Sequence, residues 1–159
     1  MLNDDIIKEF LFDCRMRKLS ERTLKGYKNN NLAMMRFIKQ EYNILELEET
    51  NHIAIRGYIE FLTNKGLSEV YINGLIKCFK AYFNYCMREQ YIYKNPMDKI
   101  YRQKEPITLI NTFNDVEVKR MINYYTGSKF LDIRNQLIMI ILFDTGIRCF
   151  ELCCLPTDA

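Results

Sequence analysis

An arginine and a glutamate set three residues apart, just past a glycine, are the pair in this chain best suited to chemistry. They are Arg148 and Glu151, in the stretch Asp144-Thr145-Gly146-Ile147-Arg148-Cys149-Phe150-Glu151-Leu152. Gly146 predicts the end of one helix, because a residue without a Cβ takes the left-handed conformation that closes a helix. Arg148 then stands at the start of the next helix, with Glu151 one turn later on the same face. A guanidinium is planar and permanently charged, and a neighbouring carboxylate holds it still. The chemistry such a pair serves is the rigid presentation of positive charge to a phosphate.

The elements that must position this pair read almost wholly as helix. Asn3 to about Arg17 is amphipathic, with Ile6, Ile7, Phe10, Leu11 and Cys14 on one stripe. Ser20 predicts the N-cap of a second helix running to about Glu41, with Leu24, Tyr27, Met34, Met35 and Ile38 inward. Thr50 or Asn51 caps a third, with Ile55, Tyr58, Ile59 and Leu62 apolar, closed by Gly66. Ser68 caps a fourth to about Glu89, with Ile72, Ile76, Phe79, Phe83 and Cys86 facing in. Four helices with short connections predict a bundle.

Asn95-Pro96 breaks the pattern, since proline drives the residue before it out of the α region. Periodicity is lost from Met97 to Pro106 while charge rises, the mark of a connector. Asn114-Asp115-Val116-Glu117 then matches a capping box opening a helix to about Tyr125. A further helix, about Lys129 to Asp144, carries the run Leu137 to Phe143, apolar on every side. The residues that remain are too few to bury it.

Composition bounds the function. With 159 residues, 48% of them hydrophobic, the chain supports one good core or two small ones. Three prolines and six glycines leave little for linkers, and no repeat is present. The start carries Asp4 and Asp5 where a signal peptide carries bases, and no apolar run is long enough to span a bilayer. A cytoplasmic protein with no membrane partner is expected. Cys14, Cys78 and Cys86 sit singly in helical patterns, and Cys149, Cys153 and Cys154 form no CxxC pair. With His52 the only histidine, reduced structural thiols are expected, with no metal and no cofactor.

The net charge of +3 hides segregation. Cys14 to Lys39 carries eight bases against Glu21 alone, whereas Glu41 to Glu69 carries six acids against two bases. Lys77 to Lys104 carries seven bases against two acids. Two basic helices separated in sequence by an acidic one are expected to share a face. On the second helix Arg22, Thr23, Lys25 and Lys28 crowd the first two turns. On the fourth, Asn73, Lys77, Lys80, Asn84 and Arg88 form a stripe opposite the apolar one. Bases at such positions neutralise phosphates, and asparagine can read base edges or hold the backbone. Charge alone leaves two readings open, DNA-binding faces and merely solvated ones.

These passages together resemble the N-terminal part of the tyrosine recombinases, the phage-integrase and transposon-integrase family. Ser20 to Tyr27, Val70 to Tyr85, Asn95-Pro96, and Arg134 to Leu155 around Thr145-Gly146-Ile147-Arg148 and Glu151-Leu152 carry the likeness. The resemblance implies an all-α chain: a four-helix, SAM-like core-binding domain over residues 1–100, a connector over 101–112, and the first helices of an incomplete catalytic domain over 113–159. It implies that the second and fourth helices lie against the major groove and that Arg102 and Lys104 cross the DNA in the connector. Arg148 matches the family's first catalytic arginine, and Glu151 the acid that supports it. In that family a tyrosine attacks the scissile phosphate. None of the eleven tyrosines here stands in that context, so the chain by itself is expected to bind recombination-site DNA without cutting it.

A reading from another class stays open. The run Leu137 to Phe143 and the tail Leu152 to Leu155 suit a helical module that docks a partner or dimerises. A helix-turn-helix regulator has less support, since no pair of short helices with a tight turn is present.

Overall fold

The computed structural model describes residues 3–107, 109–125 and 127–156, and every regular element among them is helical. The order is α1 (Asn3–Met16), α2 (Glu21–Tyr42), α3 (His52–Asn64), α4 (Glu69–Arg88), a 3₁₀ turn (Pro96–Lys99), α5 (Asp115–Tyr124), α6 (Phe130–Thr145) and α7 (Cys149–Cys153). The chain divides into two compact units, Met1–Ile107 and Thr108–Ala159.

In the first unit the helix ends follow local chemistry. Ser20 Oγ accepts from the Thr23 N–H, Asn51 Oδ1 from those of Ile53 and Ala54, and Ser68 Oγ from that of Tyr71. Each bond satisfies a donor that has no partner inside its own helix. Of the two candidates for the third cap, Asn51 takes the role. Gly66 follows α3 at φ +78°, where a side chain would be strained.

The apolar stripes meet in one core. Phe10 of α1 is buried among Tyr27, Tyr82 and Tyr85, with ring centroids 5.3, 5.5 and 5.4 Å away. Ile38, Ile55, Ile72, Ile76, Phe79 and Phe83 fill the space beneath. Truncating Phe10 to alanine would leave a hole at the junction of three helices, at a cost of about 3–5 kcal/mol. The outer face of α1 is tied to the end of α4 by polar bonds. Arg88 Nη2 donates to Asp13 at 2.8 Å, and the Tyr91 hydroxyl donates to Glu9.

The segment after Pro96 is more structured than its lost periodicity implies. Met97 and Ile100 are core residues, and the Arg56 guanidinium of α3 donates to the Lys99 carbonyl at 2.9 Å. Aperiodicity here reflects a 3₁₀ turn, whose three-residue repeat no α-helical template detects.

The second unit pairs α5 with α6. Asn114 and Glu117 close a capping box, and Phe113 meets Phe143 edge to face at 6.3 Å. No described residue of α5, α6 or α7 is fully buried. Leu137, Ile140 and Phe143 stay exposed while Ile138, Met139, Ile141 and Leu142 are half-buried, so within this unit the apolar run of α6 is only partly covered.

Candidate nucleic-acid interface

Buried Asn31 of α2 donates to the Tyr27 carbonyl at 2.8 Å and lies 3.6 Å from the Cys78 Sγ of α4, which marks where the two basic helices meet. Lys28 and Lys77 stand exposed within one turn of that contact. Arg22 and Lys25 are exposed on the first turns of α2, while Lys80 is half-buried on α4. The Thr23 hydroxyl is already paired with the Ser20 hydroxyl at 2.9 Å. Among the described residues, none of Arg22, Lys25, Lys28, Lys77, Lys80 and Lys104 enters an ion pair. These bases are thus free of ion pairs, although the charge of Lys77 also acts on the Glu105 carboxyl, and bases so placed can neutralise a phosphate.

The remainder of the α4 stripe behaves differently. Arg88 is spent on Asp13 and Glu89, and its guanidinium is held above its ordinary range by the Glu89 contact first. Asn84 accepts from the Asn95 side chain at 2.8 Å.

Asn73 requires a correction. Expected among the DNA contacts, it is 1% exposed. Its Oδ1 accepts from the Gln103 N–H at 2.8 Å, and its Nδ2 donates to the Gln103 carbonyl at 2.8 Å and to Glu105 Oε1 at 2.7 Å. An amide whose two N–H bonds are both used has nothing left to offer a base. Asn73 is a fastening for the chain that follows the bundle.

That fastening places the connector bases. Gln103 Nε2 reaches Thr63 Oγ1 of α3 at 3.1 Å, and Arg102 Nη2 reaches Glu105 Oε1 at 3.0 Å. The hydrogen bond from Asn73, above all, holds the Glu105 carboxyl below its ordinary range, and Arg102 and Lys77 act in the same direction. Exposed Arg102 and Lys104 are thus carried on a segment fastened to α3 and α4. Arg56, Thr63, Gln103 and Glu105 were invisible as a set in the sequence, because each is an ordinary polar residue until the chain folds back on α3 and α4.

Arg148 and Glu151 lie in the second unit. Gly146 closes α6 at φ +66°, and Thr145 Oγ1 donates to the Ile141 carbonyl at 2.6 Å while accepting from the Ile147 N–H at 3.2 Å. Arg148 follows as the N-cap of α7. Its N–H donates to Glu151 Oε2 at 2.9 Å, and its Nη1 donates to Glu151 Oε1 at 3.1 Å. One carboxylate therefore orients both the backbone and the side chain of the arginine, whose guanidinium points into solvent.

Among the described residues no cluster of three or more histidine, cysteine or acidic side chains is placed to hold a metal, and no helix is long and apolar enough to cross a membrane. Cys14, Cys78 and Cys86 are buried, and Cys149, Cys153 and Cys154 are exposed. Burial pushes the Cys78 and Cys86 thiols up to about 12.

The first unit is thus a small helical bundle with exposed bases on two helices, and the second presents an arginine at a helix start. Residues 5–103 match the phage integrase SAM-like domain, and the chain belongs to that family. It is related to the N-terminal region of tyrosine recombinases. It is 26% identical over 136 residues to the tyrosine recombinase XerC of Listeria innocua, covering 85% of this chain and 45% of that one. It is likewise 26% identical over 156 residues to XerD of Listeria monocytogenes, covering 98% and 52%. The chain spans about half the length of these relatives. In fold it is similar to the Tn1549 transposon integrase solved with a circular intermediate DNA, at a TM-score of 0.70 and 20% identity over 96% of this chain and 48% of that one.

Proposed function

We propose that this chain is the DNA-gripping front portion of a site-specific tyrosine recombinase, engaging duplex DNA at recombination sites during DNA integration. The observation that carries this reading is the set of exposed, unpaired bases on α2 and α4, with Arg102 and Lys104 on a segment fastened to α4. Residues 1–100 act as the core-binding domain, 101–112 as the connector and 113–159 as the opening of the catalytic domain. Arg148 serves as the first arginine on the scissile phosphate and Glu151 as its support. This stretch supplies no nucleophile, so the chain by itself binds without forming a covalent link to DNA. The cytoplasm, where its DNA lies, is its place of action.

The test is anisotropy of a labelled duplex titrated across a range of salt. Affinity is expected to fall steeply with salt, and charge reversal at Lys77 and Lys80 together is expected to weaken binding by about tenfold or more. Binding indifferent to both changes would overturn the reading. A nicked recombination-site duplex is expected to yield no covalent adduct on a denaturing gel.

A second reading, a helical interaction or dimerisation module, is favoured by one observation: Leu137, Ile140 and Phe143 are exposed along α6. Sedimentation of the Lys77 and Lys80 double reversal separates the two. Self-association that persists while DNA binding is lost supports both roles, on different surfaces. Unchanged DNA binding leaves the module reading alone.

A further inference from the structure

We propose that the Glu105 carboxylate occupies a phosphate-binding notch built from Asn73, Arg102 and Lys77, and that a backbone phosphate of duplex DNA takes its place. The proposal rests on the DNA-binding reading above and adds to it an internal competitor that the phosphate must displace.

The geometry centres on a single atom. Glu105 Oε1 accepts from Asn73 Nδ2 at 2.7 Å and from Arg102 Nη2 at 3.0 Å. Two donors on unrelated parts of the chain, one a buried amide and the other a flexible guanidinium, thus converge on one anionic oxygen. A phosphate oxygen carries the same sign of charge and accepts in the same way. Lys77 lies one helical turn beyond Asn73 on α4, and its charge acts on the Glu105 carboxylate. The notch therefore offers a neutral donor, a planar cation and a point cation, a set suited to a phosphodiester.

Two features favour exchange over a fixed internal ion pair. Asn73 has two N–H bonds on Nδ2, and the one given to Gln103 does not depend on Glu105. The connector can thus stay fastened when the carboxylate leaves. The N–H that Glu105 vacates belongs to a buried side chain, so it demands another acceptor at once. Glu105 itself is half-exposed on an irregular segment and can turn to solvent without disturbing a helix.

The test compares Glu105→Gln and Glu105→Ala with Glu60→Gln, an exposed acid on α3 that removes the same charge elsewhere. Duplex affinity is read by anisotropy at constant salt. Glu105→Gln and Glu105→Ala are expected to bind about fivefold more tightly than the parent, and Glu60→Gln within about twofold of it. Lys77→Gln is expected to weaken binding more in the Glu105→Gln background than in the parent, because the parent already loses part of that charge to Glu105. Equal gains from Glu105→Gln and Glu60→Gln, or additive Lys77 and Glu105 effects, overturn the proposal while DNA binding stands. Absence of binding by the parent and by all three variants overturns the DNA-binding reading itself and the notch with it. Binding by the Glu105 variants alone supports the notch. Inorganic phosphate, followed by the Asn73 side-chain amide resonances, is expected to cause no saturable shift at millimolar concentration. A saturable shift overturns the assignment to duplex DNA in favour of a free anion.

Discussion

Asn73 and Gln103 are joined across 30 residues as two neighbours in a β-ladder would be, the side-chain amide of one accepting from the N–H and donating to the carbonyl of the other, both at 2.8 Å. A helix residue thereby supplies the strand edge that the following segment lacks. A carboxamide carries a donor and an acceptor side by side, as a peptide group does, which suits it to this pairing.

Asn73→Ala is expected to lower the stability of the bundle by about 2–3 kcal/mol, since it leaves Gln103 without either backbone partner in a part-buried position. Urea unfolding followed by circular dichroism measures the loss, and hydrogen exchange locates it at the Gln103 amide. Asn73→Asp is expected to give no rescue, because it sets a second carboxylate against Glu105. A stability change under about 0.5 kcal/mol for Asn73→Ala would remove the fastening role.

Acid is expected to loosen the same contact. Donation from Asn73 holds the Glu105 carboxyl below its ordinary value of 4.5 in the folded chain. A group with a depressed folded value contributes stability that is fully present above the ordinary value and is lost as pH falls through the lowered one. The Glu105 side-chain carbon resonance should titrate below 4.5 in the parent and move back towards it in Asn73→Ala. Identical titration in both proteins would show that the contact does not persist in solution.

Two glycines with equally open surroundings are expected to respond in opposite directions. Neither Gly66 nor Gly74 has a heavy atom within 4 Å of an added Cβ. Gly66 sits at φ +78° beyond α3, so Gly66→Ala should destabilise by about 1 kcal/mol. Gly74 lies inside α4, where Gly74→Ala should stabilise by about 0.5–1 kcal/mol. Thermal midpoints read both, and a shift of the same sign for the pair would contradict this account.

Thiol chemistry should split the cysteines evenly. Cys149, Cys153 and Cys154 are exposed and should alkylate quickly, whereas Cys14, Cys78 and Cys86 should react only on unfolding. Burial raises all three of the latter, and the thiolate is the reactive form. Mass spectrometry at neutral pH should show three adducts early and the remaining three only in denaturant.

Helix ends were the most legible part of this chain, because a cap is a local event. Ser20, Ser68 and Asn114 each satisfy donors within three residues, and Gly66 and Gly146 each turn one backbone angle. The inward stripes were legible for a related reason, since Phe10, Phe79 and Phe83 repeat at the helical period. What the pattern could not convey was the chain folding back on itself. Asn73 shares a helical stripe with Lys77 and Lys80, and periodicity alone sets all three in solvent. Only the fold shows that residues 99–105 cover one end of that stripe. Buried Asn31 was missed likewise, as nothing local marks a polar residue that lies against a cysteine 47 positions away. At Arg148, spacing conveyed that Glu151 lies one turn away. That the same carboxylate also binds the arginine's own N–H is a cap, and caps built from the third residue of a helix are hidden when the first residue is not a usual N-cap.

Residues 99–105 are held by side chains from two different helices, Arg56 and Thr63 of α3 and Asn73 of α4. None of these groups can converge until α3 and α4 have already docked, so the arm is secured only after the bundle is whole. Opening of either helix is therefore expected to release Arg102 and Lys104 onto a loose strand that trypsin can cut, which ties the order of this segment to the integrity of the bundle.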